Sequence, residues 1–164
     1  MPSCDHLYAC DYRWWKHHIE HITRDYEGTC WTQNIQWEVD PAQWGIKVLQ
    51  SEAKPGLSKT PGVIHQGQNS GYQAIGLALE LLRPHLPGRV ILLGFDMQTD
   101  GDRRHWFGAH PQPMDAASSY PCFIRNFQTI DPKAYGIEIW NVTRKTALQH
   151  FPLHNLDEVC AALS

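Results

Sequence analysis

The chain has 164 residues, of which 42% are hydrophobic and 19% are charged, and its net charge is −3. This length and composition predict one globular domain over residues 1–164 with a substantial core. The 14 lysines and arginines are scattered along the chain. They argue against an extended nucleic-acid surface, because binding along a nucleic acid is mostly electrostatic. A small phosphorylated ligand in one local pocket is compatible with this charge.

The cysteines and the N-terminal residues indicate the compartment. The five cysteines are widely spaced and form no C-x-x-C pair, which predicts reduced thiols in a cytoplasmic protein, several of them buried. Asp5 and His6 interrupt any apolar run at the N-terminus, so no signal peptide is expected. The chain contains no apolar run of about 18 residues, so no membrane span is expected either.

The first part of the chain alternates strand and helix patterns. His6–Asp11 is a short apolar run ending in a carboxylate, as buried parallel strands often do, and residues 12–22 carry apolar side chains at helical spacing. Residues 28–44 are compatible with one strand or two, and Gly45–Gln50 predicts another. Residues 51–62 contain two prolines and two glycines, which predict a loop.

The clearest unit is a glycine-rich polar stretch directly before a helix that is apolar on nearly all sides and ends at Leu82. Asn69 or Ser70 supplies its N-cap, and Gly67 and Gly71 flank that cap. A helix N-terminus exposes unpaired amides that bind anions, and glycine lets a phosphate approach closely. These four residues are therefore predicted to bind a phosphate group. The alternative is a plain cap with tight helix packing.

The rest of the chain predicts two more strands and two more helices. Arg89–Met97 is almost wholly apolar, which is typical of a central parallel strand. A polar and aromatic loop follows over residues 98–114. We expect a helix over about 115–128, a strand over 135–143 and a closing helix capped by Asn155.

Strands that alternate with helices predict an α/β three-layer domain with a mainly parallel sheet of about four to six strands. In such sheets, ligands bind beyond the carboxyl ends of the strands. This rule places Asp11, the Gly67–Gly71 turn, Asp96 and Asn141 at one edge. We therefore expect these residues to contact the ligand.

A group of carboxylates near Asp96 invites comparison with metal sites. Asp96, Asp100 and Asp102 are the carboxylates, and the D-x-Q-x-D-G pattern over residues 96–101 resembles the start of a calcium-binding loop. Phe107, however, stands where the final glutamate of that loop is required. A calcium site is therefore not expected. Mg²⁺ held by Asp96 together with a substrate phosphate is compatible with the sequence, because Mg²⁺ often binds only one or two carboxylates.

Two histidine pairs call for separate interpretations. His105 and His110 lie five residues apart in a loop without a third nearby ligand, so a general base or a phosphate contact is favoured over zinc. The alternative is a pair of exposed loop histidines. His17 and His21 lie one helical turn apart without the glutamate of an H-E-x-x-H motif, and we expect them on the surface.

Several stretches carry a resemblance to known proteins: NSGYQAIGLALELLRPHLPGRVILLGFDM from Asn69, HWFGAHP from His105, LYACDYRWWKHH from Leu7 and NVTRKTALQHFPLHNLDEV from Asn141. They resemble phage and bacterial Rossmann-like proteins related to the 6-hydroxymethylpterin diphosphokinase-like and bacterial sialyltransferase-like families. Those families share a small-Ser-Gly turn, a buried helix and an apolar strand that ends in Gly-x-Asp. The resemblance covers most of the chain and is densest over residues 65–111.

This resemblance implies a Rossmann-like fold, nucleotide-phosphate binding at Ser70 and Gly71, and a ligand contact from Asp96. In the sialyltransferase branch a histidine or similar group acts as the base, for which His105 or His110 is the nearest counterpart. Members of the group usually begin with a strand and a G-x-G-P-S loop. The first residues here are similar to a later strand of the family, so the resemblance implies that the usual N-terminal strand and glycine loop have no counterpart.

The leading hypothesis is a phage-related, nucleotide- or nucleotide-sugar-binding transferase-like protein of the host cytoplasm, which catalyses glycosyl or phosphoryl transfer. It would resemble a glycosyltransferase or a diphosphokinase, with Mg²⁺ as the expected cofactor. The alternative is a non-catalytic phage accessory module that binds a nucleotide or docks on a host protein. A third hypothesis is a structural domain whose exposed sheet edge is covered in a homo-oligomer.

Overall fold

The computed structural model describes residues 4–34, 38–99, 101 and 118–163. In chain order these residues form β1 (His6–Tyr8), α1 (Tyr12–Asp25), β2 (Thr29–Gln33), β3 (Lys47–Glu52), β4 (Val63–His65), α2 (Ser70–Leu82), β5 (Gly88–Leu92), α3 (Tyr120–Phe127), β6 (Ile137–Asn141) and α4 (Leu156–Leu163). Strands and helices alternate as predicted, except that β2, β3 and β4 follow one another without an intervening α-helix in the described part of the chain. His105 and His110 lie outside the described residues, as do Asp100 and Asp102.

All strand pairs within the described residues are parallel. The first sheet has the order β1-β2-β3-β4, and β5 pairs with β6 in a second sheet. The predicted α/β, Rossmann-like fold with a parallel sheet of four to six strands is confirmed, although its strands are divided between two sheets. Parallel strands run in one direction, so their carboxyl ends lie at one edge of each sheet.

The first sheet is covered by a helix on each face. Cys30 on β2 packs against the cluster around Trp15 and Ile22 of α1, whereas the neighbouring Trp31 packs against the cluster that contains Leu77 of α2. Successive side chains of a strand point to opposite faces. Helices α1 and α2 therefore lie on opposite faces of the sheet, which gives the predicted three-layer arrangement.

Helix α2 is apolar on nearly all sides because it contributes to two buried clusters. Its Ile75 and Leu79 belong to the largest cluster, together with side chains of β5, β6 and α3, while its Leu77 packs on β3 and β4. A Cβ atom at Gly76 would lie 3.1 Å from Ile64 of β4, so glycine lets the helix approach the strand closely. The position of α2 fixes the turn before it.

The element boundaries correct several predictions. Strand β1 ends at Tyr8 rather than at Asp11, and Asp11 instead caps α1 by accepting a hydrogen bond from the Arg13 amide. Helix α3 begins at Tyr120, later than the predicted 115. Strand β3 continues to Glu52, into the predicted loop over residues 51–62, and strand β4 directly after that loop was not predicted.

Other expectations about the surface are met, but the expected burial of several cysteines is wrong. His17 and His21 are exposed on α1. The five cysteines all lie within the described residues; they form no disulfide and are exposed or half-buried. Asn155 accepts hydrogen bonds from the amides of Asp157 and Glu158 and so caps α4 as predicted. Among the described residues, no helix combines the length and apolar character needed to cross a membrane.

Candidate functional site

The turn before α2 lies at the carboxyl edge of the first sheet. Ser70 Oγ is 2.9 Å from the Sγ of Cys10, which follows β1. The Tyr8 hydroxyl of β1 donates a 2.6 Å hydrogen bond to Oε1 of Gln73 in the first turn of α2. These contacts bring the N-terminus of α2 to the edge where ligands of parallel α/β sheets bind.

A buried glutamine fixes this arrangement. Gln73 is only 2% exposed, and its Nε2 donates to the Gln66 carbonyl at 2.7 Å and to Oε1 of Gln33 at 3.3 Å. Gln33 ends β2 and donates in turn to the Cys10 carbonyl. Gln73 therefore ties the turn to β1 and β2. Sequence reasoning did not assign it a role, although it is a rare polar residue in an apolar helix.

Burial determines the protonation states of the Cys10 thiol and the Tyr8 hydroxyl in this network. Desolvation raises the pKa of the Cys10 thiol, and the Ser70 hydrogen bond lowers it by less. Burial likewise raises the pKa of the Tyr8 hydroxyl. Both groups therefore keep their protons at neutral pH, and they position the turn instead of acting as a thiolate or phenolate nucleophile.

The first turn of α2 offers two unpaired amides. Asn69 is the N-cap, since its Oδ1 accepts a 3.0 Å hydrogen bond from the Tyr72 amide and its carbonyl accepts from the Gln73 amide. The amides of Ser70 and Gly71 have no hydrogen-bond partner among the described residues. A helix of 13 residues with two open amides at its N-terminus is suited to an anionic group.

The two glycines of the turn are required by the protein's own aromatic rings. Gly67 has φ +50°, and a Cβ there would lie 2.1 Å from the Tyr72 ring. A Cβ at Gly71 would lie 2.9 Å from Asn69 Oδ1 and 3.0 Å from the Phe95 ring. The alternative of tight packing therefore explains both glycines. The phosphate contact stays a prediction and depends on the open amides.

Asp96 is next in the chain to a residue that contacts the turn before α2. It directly follows Phe95, whose ring faces Gly71. The backbone here is held by the Phe95 amide donating to Thr143 Oγ1 at 2.9 Å and by the Ala147 amide donating to the Asp96 carbonyl at 2.8 Å. The Asp96 side chain is exposed. Its carboxylate is thus available to a ligand or to a cation that accompanies one.

In the structure, the side chains of Asn141 and Asp11 form hydrogen bonds to the protein's own backbone. Asn141 ends β6 and has no exposed surface; its Nδ2 donates to the Leu148 carbonyl and its Oδ1 accepts from the Thr143 amide. Topology placed it correctly at a strand end, but its side chain binds the chain itself rather than a ligand. Asp11 is exposed, and its carboxylate caps α1.

Comparison with known proteins does not bear on these assignments, which rest on the geometry alone. No protein-family model, curated protein or solved structure matches the chain. The similarity of NSG and GFDM to diphosphokinase-like and sialyltransferase-like sequences therefore stays a prediction. The described residues present two open amides, at Ser70 and Gly71, and an exposed carboxylate at Asp96, whose neighbour Phe95 contacts Gly71.

Proposed function

We propose that the protein binds a nucleotide or nucleotide sugar at this edge and acts in glycosyl or phosphoryl transfer. The observation that carries the proposal is the pair of open amides at Ser70 and Gly71, in a turn that three hydrogen bonds of the buried Gln73 hold in place. Preorganised amides bind phosphate without the cost of ordering a loop. The phosphate of the ligand would lie on these two amides.

Asp96 supplies the second part of the proposal. No group of three or more metal-ligating side chains occurs among the residues that the structure describes. A single exposed carboxylate still fits Mg²⁺, which keeps several waters and binds through one or two carboxylates plus substrate phosphates. Asp96 would hold the ion only together with the bound phosphate. The ion would neutralise phosphate charge.

The catalytic part of the proposal requires a base, and the resemblance assigns that role to His105 or His110. Among the described residues, the edge provides groups that bind and position, namely amides, carboxamides and a carboxylate. Because these groups bind and position a ligand, they also favour the second candidate, a module that binds a nucleotide without turning it over. The two candidates differ in whether a bound donor is consumed.

A melting experiment tests the binding proposal. We expect at least one of CMP, UDP, GDP and ADP, or a sugar-linked form of these nucleotides, to raise Tm in the presence of Mg²⁺. At tenfold excess over Kd the stabilisation is about 1.4 kcal/mol, which corresponds to roughly 3–5 °C for a chain of this size. The Asp96→Asn variant should lose the Mg²⁺-dependent part of this shift and keep the remainder.

Glu20→Gln is the matched control, because Glu20 is an exposed carboxylate on α1, away from the edge. It should behave as the parent protein. If no nucleotide or donor changes Tm, the proposed function is wrong. If a donor binds and stays intact, and replacing both His105 and His110 with alanine changes nothing, the binding module is correct and the transferase is not.

A further inference from the structure

A cleft of about 290 Å³ adjoins the turn on the side of β3. Its walls come from Lys54 and Pro55 after β3, from Gln68 after β4 and from Asn126 on α3. The cleft therefore lies beyond the carboxyl ends of two neighbouring parallel strands. Gln68 directly precedes the N-cap residue of α2, so the cleft and the open amides belong to the same turn.

The wall formed by Gln68 is held in a conformation that residues with a Cβ rarely adopt. Gln68 has φ +57° and follows Gly67, which has φ +50°. Helix α3 clamps this turn: Asn126 Nδ2 donates to the Gly67 carbonyl at 2.7 Å, and the Cys122 thiol lies 3.5 Å from Gln68 Oε1. Non-glycine residues kept in the left-handed region cluster at ligand sites.

The unpaired hydrogen-bonding groups of the cleft determine which ligand groups it can bind. Gln68 Nε2 and Asn126 Oδ1 have no hydrogen-bond partner among the described residues. The cleft thus offers a donor beside an acceptor, while the Lys54 ammonium is paired with Glu52 at 2.6 Å. A hydroxyl both donates and accepts, so this set suits hydroxyl groups better than a phosphate, which only accepts.

The aromatic residue of the cleft argues against a nucleobase. Tyr72 contributes to the lining, but it is only 1% exposed, and its hydroxyl donates to the Gly56 carbonyl at 2.6 Å. It presents no open face on which a base could stack, and stacking is a main source of affinity for bases. A compact, hydroxyl-rich group is the better match.

We infer that this cleft is the sugar subsite of a nucleotide-sugar donor and that Gln68 is a residue that selects the sugar. The inference rests on the proposed function, since the phosphate on the amides of Ser70 and Gly71 would place the attached sugar beside Gln68. It goes further by naming the donor class: a nucleotide that carries a sugar binds more tightly than the same nucleotide without one.

Calorimetric titration of matched pairs tests this inference. The pairs are UDP-glucose with UDP, GDP-mannose with GDP, ADP-glucose with ADP, and CMP-N-acetylneuraminate with CMP. For at least one pair we expect the sugar nucleotide to bind about tenfold more tightly, as one good hydrogen bond allows. Gln68→Gly should abolish this preference and leave the affinity for the parent nucleotide unchanged.

Gln68→Gly is expected to fold, because glycine adopts φ +57° without strain, and its Tm should equal or exceed that of the parent protein. Gln68→Asn keeps a carboxamide and should retain part of the preference. Equal affinity for both members of every pair, or an unchanged preference in Gln68→Gly, would overturn the sugar subsite while nucleotide binding stands. If none of the nucleotides binds, both proposals fail.

Discussion

Gly67→Ala is expected to lower the free energy of unfolding by about 3 kcal/mol. This figure adds the cost of a left-handed conformation for a residue with a Cβ to the cost of an overpacked contact. The new Cβ would lie 2.1 Å from the ring of Tyr72, which is 1% exposed and hydrogen-bonded to Gly56. The ring therefore cannot move without disturbing the core. Denaturant unfolding followed by fluorescence measures the loss.

Gly62→Ala is the matched control for this change. Gly62 has φ +74°, but a Cβ there would meet nothing within 4 Å. Its substitution should therefore cost only the conformational part, about 1 kcal/mol. Equal losses for the two variants would contradict the contact between Gly67 and the Tyr72 ring, and with it the conclusion that packing explains this glycine.

Asn141→Ala should destabilise the protein by about 3 kcal/mol, because it leaves the buried Leu148 carbonyl and Thr143 amide without their side-chain partners. The affinity of the folded protein for a nucleotide should not change, since the Asn141 side chain is fully buried. Chemical denaturation gives the first quantity, and titration well below the unfolding midpoint gives the second.

Asn155→Ala is the matched control for Asn141→Ala. Asn155 is exposed and caps α4 through its side chain, so its loss should cost about 1 kcal/mol, as is typical of an N-cap. A nearly neutral effect of Asn141→Ala, combined with a loss of nucleotide affinity, would restore Asn141 as a ligand contact and refute the structural role assigned to it.

The features that local chemistry determines could be predicted from the sequence. Helix α2 was evident because its apolar pattern and its cap are encoded within 14 consecutive residues, from Asn69 to Leu82. Strand β5 was evident because a continuous apolar run is typical of a covered parallel strand, although it ends at Leu92 rather than at the predicted Met97. Strand β4 was missed, because it has only three residues and depends on pairing with β3.

The site was harder to predict, because its contacts join residues that are far apart in the chain. Gln73 bonds to Tyr8, 65 residues away, and to Gln33, 40 residues away. Topology placed Asn141 at a strand end but could not show that its side chain turns inward. The pattern around Gly67 likewise could not show that the close neighbour is the ring of Tyr72 rather than a phosphate.

Amide nitrogen and proton shifts of the labelled protein test the central claim most directly. On titration with pyrophosphate, the amides of Ser70 and Gly71 should shift most and saturate, whereas the Tyr72 amide, already bonded to Asn69 Oδ1, should shift less. Sodium chloride at equal ionic strength should leave all three unchanged. Saturating shifts confined to other parts of the protein, with residues 69–72 unaffected, would contradict phosphate binding at the N-terminus of α2.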